Sequence, residues 1–256
     1  MRTLIKHQWT LLWRTQRLFI LFGLGAFVGL LSAITARFLP EILAFALALD
    51  GLEGIPLPEA TITEAYAQFM GNISQLFMMV LLFIFASYVH FEARSGFDET
   101  FYTFPFSAFE HLFAKTFVMF GVLFMSVYWS ALWFGSYALG LFGEMAWIEL
   151  LFAMMVVVSL FYLFYAITLL AYTLTRRFSL TLLITFTLYF ALITLTMFES
   201  TRFHFLPQAL FQAPMQVFIG SRSLLSAFGL SFLYLLVSDG LILLSIRKTH
   251  LGPKGS

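Results

Sequence analysis

The chain has no cysteine among its 256 residues. That excludes disulfides, thiolate metal sites and a cysteine nucleophile. Charge is scarce as well. Asp, Glu, Lys and Arg make up 11% of residues, where a soluble globular domain carries about 25%. No Gly-x-x-x-x-Gly-Lys-[Ser/Thr] run occurs, so no P-loop is present to cradle a nucleotide. His-Glu-x-x-His, Gly-x-Ser-x-Gly and paired acids within apolar stretches are missing too, which leaves an intramembrane hydrolase without support.

What the chain does have is six long apolar stretches: Leu18–Ala36, Ala65–Val89, Thr116–Gly143, Leu150–Thr175, Phe178–Phe198 and Ser223–Ile246. The first five are free of charge and the last contains only Asp239. Crossing a hydrocarbon core of ~30 Å takes about 20 apolar residues in a helix. Backbone groups in lipid must be satisfied within the segment, which excludes open strands. Hydrophobic residues reach 61% and the mean hydropathy is +0.93. The expected fold is therefore an all-α polytopic membrane protein, a single transmembrane domain over 1–256. Its spans are placed at about 18–36, 69–89, 112–141, 150–174, 178–198 and 223–246. The first stretch is longer than a signal-peptide core and follows a basic segment, so it reads as a retained span. Met78-Met79 and Met154-Met155, without Cys or clustered His, read as core fillers, and no metal site is expected.

The basic residues orient these spans. With the N-terminus in the cytosol, one side holds Arg2, Lys6, Arg14, Arg17, Arg94, Lys115, Arg176, Arg177, Arg247, Lys248 and Lys254; the other holds Arg37, Arg202 and Arg222. The positive-inside rule then predicts that both termini are cytosolic. On that orientation Pro40–Leu49, in the first external loop, is too short to span and reads as a helix on the outer interface. The segment 199–222, with Pro207 and Pro214, dips into the outer leaflet. Arg176-Arg177 is a tight turn that makes the fourth and fifth spans an antiparallel hairpin.

Two cytosolic segments carry patterns. At 100° per residue, Thr3, Lys6, His7, Thr10, Arg14 and Arg17 fall in an arc of about 100°. Ile5, Trp9, Leu12 and Trp13 lie outside it, and Gln8 interrupts the apolar surface. This predicts an amphipathic interfacial helix over 1–17, either a plain anchor or a docking surface. The loop after the second span holds two capping boxes, Ser95-x-x-Asp98 and Ser107-x-x-Glu110. Pro105 closes the first of them. A short helix at 97–104 is predicted, with Phe97, Phe101 and Phe104 on one face and Asp98 and Glu99 near its N-terminus. It is either a force-transmitting element or an ordinary interfacial loop helix.

The spacing of Glu92, Gly96, Pro105 and Lys115 resembles the signature of ATP-binding-cassette exporter permeases of the second type, the six-span drug, antibiotic and polysaccharide export class. Two positions depart: Phe97 stands where Thr usually follows the glycine, and Ala108 where a basic residue usually follows the proline. The resemblance implies that the 92–115 loop is a cytosolic coupling helix, with Glu92, Arg94, Gly96, Phe97, Asp98, Glu99, Phe101, Phe104, Pro105 and Lys115 in the coupling region. It implies a non-enzymatic transport subunit with no cofactor of its own. ATP and Mg would belong to partner cytosolic ATPase subunits, beside a second permease copy or paralogue. The setting would be a bacterial plasma membrane, with the lipid bilayer but no nucleic acid as a further partner.

Within the spans, Asp239 is the acidic residue well inside, about 12 Å up its helix from Arg247. It reads either as a coupling or substrate site, or as a group bonded to a Ser, Thr or Tyr or hydrated in a vestibule. Thr181, Thr185, Tyr189 and Thr196 share an arc of about 80° on the fifth span. They line a pathway or dimer interface, or else bond their own helix and pack. The expected function is export of an unidentified amphiphilic substrate. A secondary transporter or channel, or a non-transporting scaffold or sensor that docks a cytosolic protein, is the alternative.

Overall fold

The structure, a computed structural model, describes residues 1–49, 60–94, 108–196, 209–220 and 223–251. It is helical, with no strand among the described residues. We label the helices α1 (Arg2–Arg14), α2 (Arg17–Leu49), α3 (Ile62–Asn72), α4 (Met78–Arg94), α5 (Ala108–Phe142), α6 (Trp147–Thr175), α7 (Phe178–Thr196), α8 (Ala209–Phe218) and α9 (Leu224–Leu251). A π-helical turn, Ile73–Phe77, joins α3 to α4 in one unbroken rod. Six helices, counting that rod as one, are long and apolar enough to cross a membrane. The chain is a multi-pass membrane protein in architecture, and these six are the six apolar stretches read from the sequence.

One boundary differs from expectation. Pro40–Leu49 is not a separate interfacial helix; α2 runs through Pro40 to Leu49 as one helix of 33 residues, roughly 50 Å long. Proline removes one ladder bond and usually kinks a helix. Here Arg37 and Glu41 bridge the position with an i,i+4 ion pair at 3.2 Å. At the other end of α2, Gln16 adopts a left-handed φ of 57° and turns the chain out of α1.

The bundle is organised around α6. Of its membrane-spanning window 78% is buried, against 17% for α7 and 33% for α9. A helix apolar on every face belongs in a core. This one packs against α4, α5, α7, α8 and α9, with Phe161, Phe164 and Tyr165 fully enclosed. At its C-terminus Arg176 takes φ 52° in a left-handed cap, and α7 starts two residues later. The fourth and fifth spans thus form the expected hairpin.

Helices α2 and α5 approach closely through glycines. A Cβ on Gly29 would lie 2.5 Å from the Ser130 carbonyl oxygen and 2.9 Å from the Phe134 nitrogen; one on Gly25 would lie 3.2 Å from the Ser126 carbonyl oxygen. Gly25 and Gly29 form a Gly-x-x-x-Gly ridge on α2, the small-residue pattern that lets backbones approach in lipid. The sequence reading passed over it. At the same end of the bundle as the α5–α6 turn, α8 is wedged inward. Tyr66 donates to the Pro214 carbonyl at 3.1 Å and stacks on Phe218 at 3.8 Å. The 199–222 segment therefore includes a packed helix within the bundle.

Gly29→Ala is expected to insert but to lose about 1–3 kcal/mol, because its methyl meets backbone. Gly23→Ala, with nothing within 4 Å of its Cβ, should be neutral or slightly stabilising. Unfolding midpoints of the two variants in matched micelles check this ranking.

Candidate functional site

Lys115, the last residue of the coupling signature, packs into a junction at one end of the bundle. Lys115 starts the apolar part of α5 and is 3% exposed. Its Nζ stands 5.0 Å from the centroid of the Tyr88 ring on α4. Arg17, the first residue of α2, approaches the same ring at 5.8 Å and the Phe91 ring at 5.4 Å. Its Nη2 donates to Ser87, at 2.7 Å to Oγ and 3.3 Å to the carbonyl oxygen. Its Nη1 is buried with no hydrogen-bond partner among the described residues. Tyr88 completes the knot by donating to Gln8 Oε1 on α1 at 2.7 Å. Two cations held against one aromatic ring are an arrangement that cation–π attraction supports when water is excluded.

This junction ties α1, α2, α4 and α5 into one unit. It corrects the reading of α1. The face that packs on the bundle is Leu4, Gln8 and Leu12, whereas Trp9 and Trp13 are exposed with Arg2, Lys6 and Arg14. Gln8 is thus the buried contact, because Tyr88 supplies the hydrogen bond its amide needs. Arg17 is likewise inside, not on the basic surface. The backbones of Glu92 and Arg94 form the last turn of α4; their side chains lie outside the described residues. So do Gly96, Phe97, Asp98, Glu99, Phe101, Phe104 and Pro105, with the short helix expected at 97–104.

The polar stripe of α7 faces inward, toward α4 and α6 of the same chain. Thr181, Thr185 and Tyr189 are buried. Most of the hydroxyls turn back on their own helix: Thr181 to the Arg177 carbonyl at 3.0 Å, Thr185 to Thr181 at 2.6 Å, Thr196 to Ile193 at 2.6 Å. Thr181 also meets Thr175 Oγ1 at 3.0 Å and His90 Nε2 at 3.4 Å. Tyr189 reaches across to donate to the Ser74 carbonyl at 2.5 Å. Ser74 lies in the π-turn, whose wider winding displaces carbonyls from the usual ladder. Two residues earlier Asn72 donates to Ser32 Oγ on α2 at 2.9 Å. A mid-bundle polar belt, Ser32–Asn72 and Ser74–Tyr189, therefore links α2, the π-turn and α7. The sequence signal for it was Asn72 and Ser74 in an otherwise apolar run.

Asp239 Oδ1 accepts a hydrogen bond from Tyr162 on α6 at 2.8 Å, the tyrosine partner that one of the two sequence readings called for. No cation among the described residues pairs with it. Both residues line a cavity of about 360 Å³ between α5, α6 and α9. Tyr162 and the cavity were not foreseen, since they arise only from the packing of three separate spans. No group of three or more His, Cys, Asp or Glu that could hold a metal occurs among the described residues.

Comparison with protein-family models, with curated proteins and with solved structures gives no match to this chain.

Tyr189→Phe is expected to lower stability by about 0.6–1.7 kcal/mol, the range for one interhelical hydrogen bond in a membrane bundle. Thr185→Val, which gives up only an intrahelical bond, should do less than that. Thr185→Trp should overpack a fully enclosed position and lose about 1–3 kcal/mol. Chemical unfolding of the three variants in micelles orders them.

Proposed function

We propose that this chain is the membrane-spanning permease subunit of an ATP-driven exporter, with ATP hydrolysed on separate cytosolic ATPase subunits. The reading places both termini and the Arg17–Tyr88–Lys115 junction in or near the cytosol, in a bacterial plasma membrane. It pairs the chain with a second permease copy or a paralogue. The observation that carries it is the junction itself. Lys115 closes the Glu92–Gly96–Pro105–Lys115 spacing and is buried against Tyr88 beside Arg17. The two helices that flank 95–107 in the sequence, α4 and α5, are thus held together through the Tyr88 ring. A push on that segment by a cytosolic partner would move α4 and α5 together, with α1 following through Gln8.

A scaffold or sensor would also use such a junction, but would not need the Asp239 cavity. A secondary transporter would need charged groups along a path, and Asp239 stands without a second intramembrane acid in the sequence. On the exporter reading, Asp239 and its surroundings are the translocation candidate, while the Thr181–Tyr189 face fastens α7.

The test is capture of the tagged chain from its native membrane, followed by identification of co-isolated P-loop ATPases and measurement of ATP turnover. We expect an ATPase to be retained and to hydrolyse ATP. The chain purified alone should show no turnover. Phe101→Ala should lose most of the partner, because truncating a buried aromatic anchor commonly removes about 2 kcal/mol or more of binding. Asp98→Asn should retain it. Turnover by the lone chain, or full retention and unchanged turnover with Phe101→Ala, would contradict the assignment.

A further inference from the structure

A carboxylate within a membrane span needs a partner, and Tyr162 gives Asp239 only one neutral hydrogen bond. Among the described residues the rest of the cavity supplies no counter-charge. Its walls are Phe113, Phe117 and Phe120 of α5, Tyr162 of α6, and Leu235 and Ile242 of α9, with no Lys, Arg or His among the described lining residues. Thr116 also lines the cavity and is 7% exposed, and its buried Oγ1 has no partner among the described residues. On the rim Phe109, Phe113 and Phe117 stack in succession, with centroids 6.2 and 6.3 Å apart, and all three are exposed. The cavity therefore opens through an aromatic edge on the flank of the bundle, where hydrocarbon is expected.

These features specify a ligand. The volume of about 360 Å³ lies within the ~300–1,000 Å³ of small-molecule sites. The aromatic walls offer ring faces to a cation, and Asp239 offers one negative charge. An anion would meet only the carboxylate. A zwitterionic phospholipid would bring a phosphate that no basic residue among the described lining receives. We propose that the cavity between α5, α6 and α9 binds an apolar monocation: one diffuse positive charge on a bulky hydrocarbon body, entering from the lipid past Phe113 and Phe117. Asp239 pairs the charge and Tyr162 holds the carboxylate in place. That such a cation is also the exported cargo rests on the exporter reading; the binding site itself does not.

The test is equilibrium dialysis of radiolabelled tetraphenylphosphonium against the intact chain in phosphatidylcholine nanodiscs, with protein-free discs as background. The chain alone is sufficient, so failure of the exporter assignment leaves this result untouched, and the reverse holds too. We expect saturable binding of about one cation per chain, undisturbed by the neutral triphenylphosphine oxide. Asp239→Asn preserves an acceptor for Tyr162, so the fold is retained, and it should weaken binding at least tenfold. Leu235→Trp should also weaken it by filling the cavity with the charge left in place. Binding of Asp239→Asn within twofold of the parent, equal displacement by the neutral competitor, or no saturable component would overturn the proposal. So would native mass spectrometry showing phosphatidylethanolamine retained by the parent chain and lost from Asp239→Asn, which would reassign the site to a lipid headgroup.

Discussion

A peptide group stranded in hydrocarbon without a hydrogen bond costs several kcal/mol, and every other feature of this molecule follows from avoiding that cost. It forces the six apolar segments into helices. Once helical, they gain little from the hydrophobic effect against one another, because lipid tails are as apolar as their side chains. Close packing and a few hydrogen bonds must hold them together. The chain does this with one helix, α6, enclosed on nearly all sides, and with Gly25 and Gly29 seating α2 against α5. The Phe-rich surface is left for lipid.

Most Ser and Thr hydroxyls inside the bundle bond back onto their own helix, and a few polar bonds join helices distant in sequence. Gln8 meets Tyr88, Arg17 meets Ser87, Tyr66 meets Pro214, Tyr162 meets Asp239 and Tyr189 meets Ser74. Four of these five bonds use a tyrosine hydroxyl. A tyrosine fits this role because its ring packs like an apolar side chain while its tip carries a donor. Apart from Tyr66–Pro214, which seats α8, the bonds fall into three sets: the junction near the ends of α4 and α5, the belt around the π-turn, and the Asp239 cavity. The first and third are where the proposed work is done. The second ties the π-turn region to α2 and α7.

The spans were legible because charge-free length is a strong signal, and the Arg176-Arg177 turn left the hairpin no other geometry. Pro40 misled the reading of α2, because a proline that usually ends a helix is here carried through one. Arg17 was assigned to the basic face on polarity alone, and Gln8 was read as an interruption of the apolar surface; each is buried with a partner at least 70 residues away. Asp239 was visible as an unusual acid, but its partner Tyr162 lies 77 residues away, and neither charge nor period points to it. The cavity was invisible for the same reason, and the Gly25–Gly29 ridge was readable but overlooked.

The central claim is that the end of the bundle carrying the Arg17–Tyr88–Lys115 junction is the working, cytosolic end. The most direct measurement is labelling of single cysteines introduced into this cysteine-free chain with a membrane-impermeant maleimide in intact cells. Arg177→Cys sits in the exposed turn between α6 and α7, and Glu144→Cys in the exposed turn between α5 and α6, at the opposite end. The account predicts that position 144 labels from outside, and that position 177 labels only after the cells are opened. Labelling of position 177 in intact cells, with position 144 protected, would put the junction outside the cell and contradict the account.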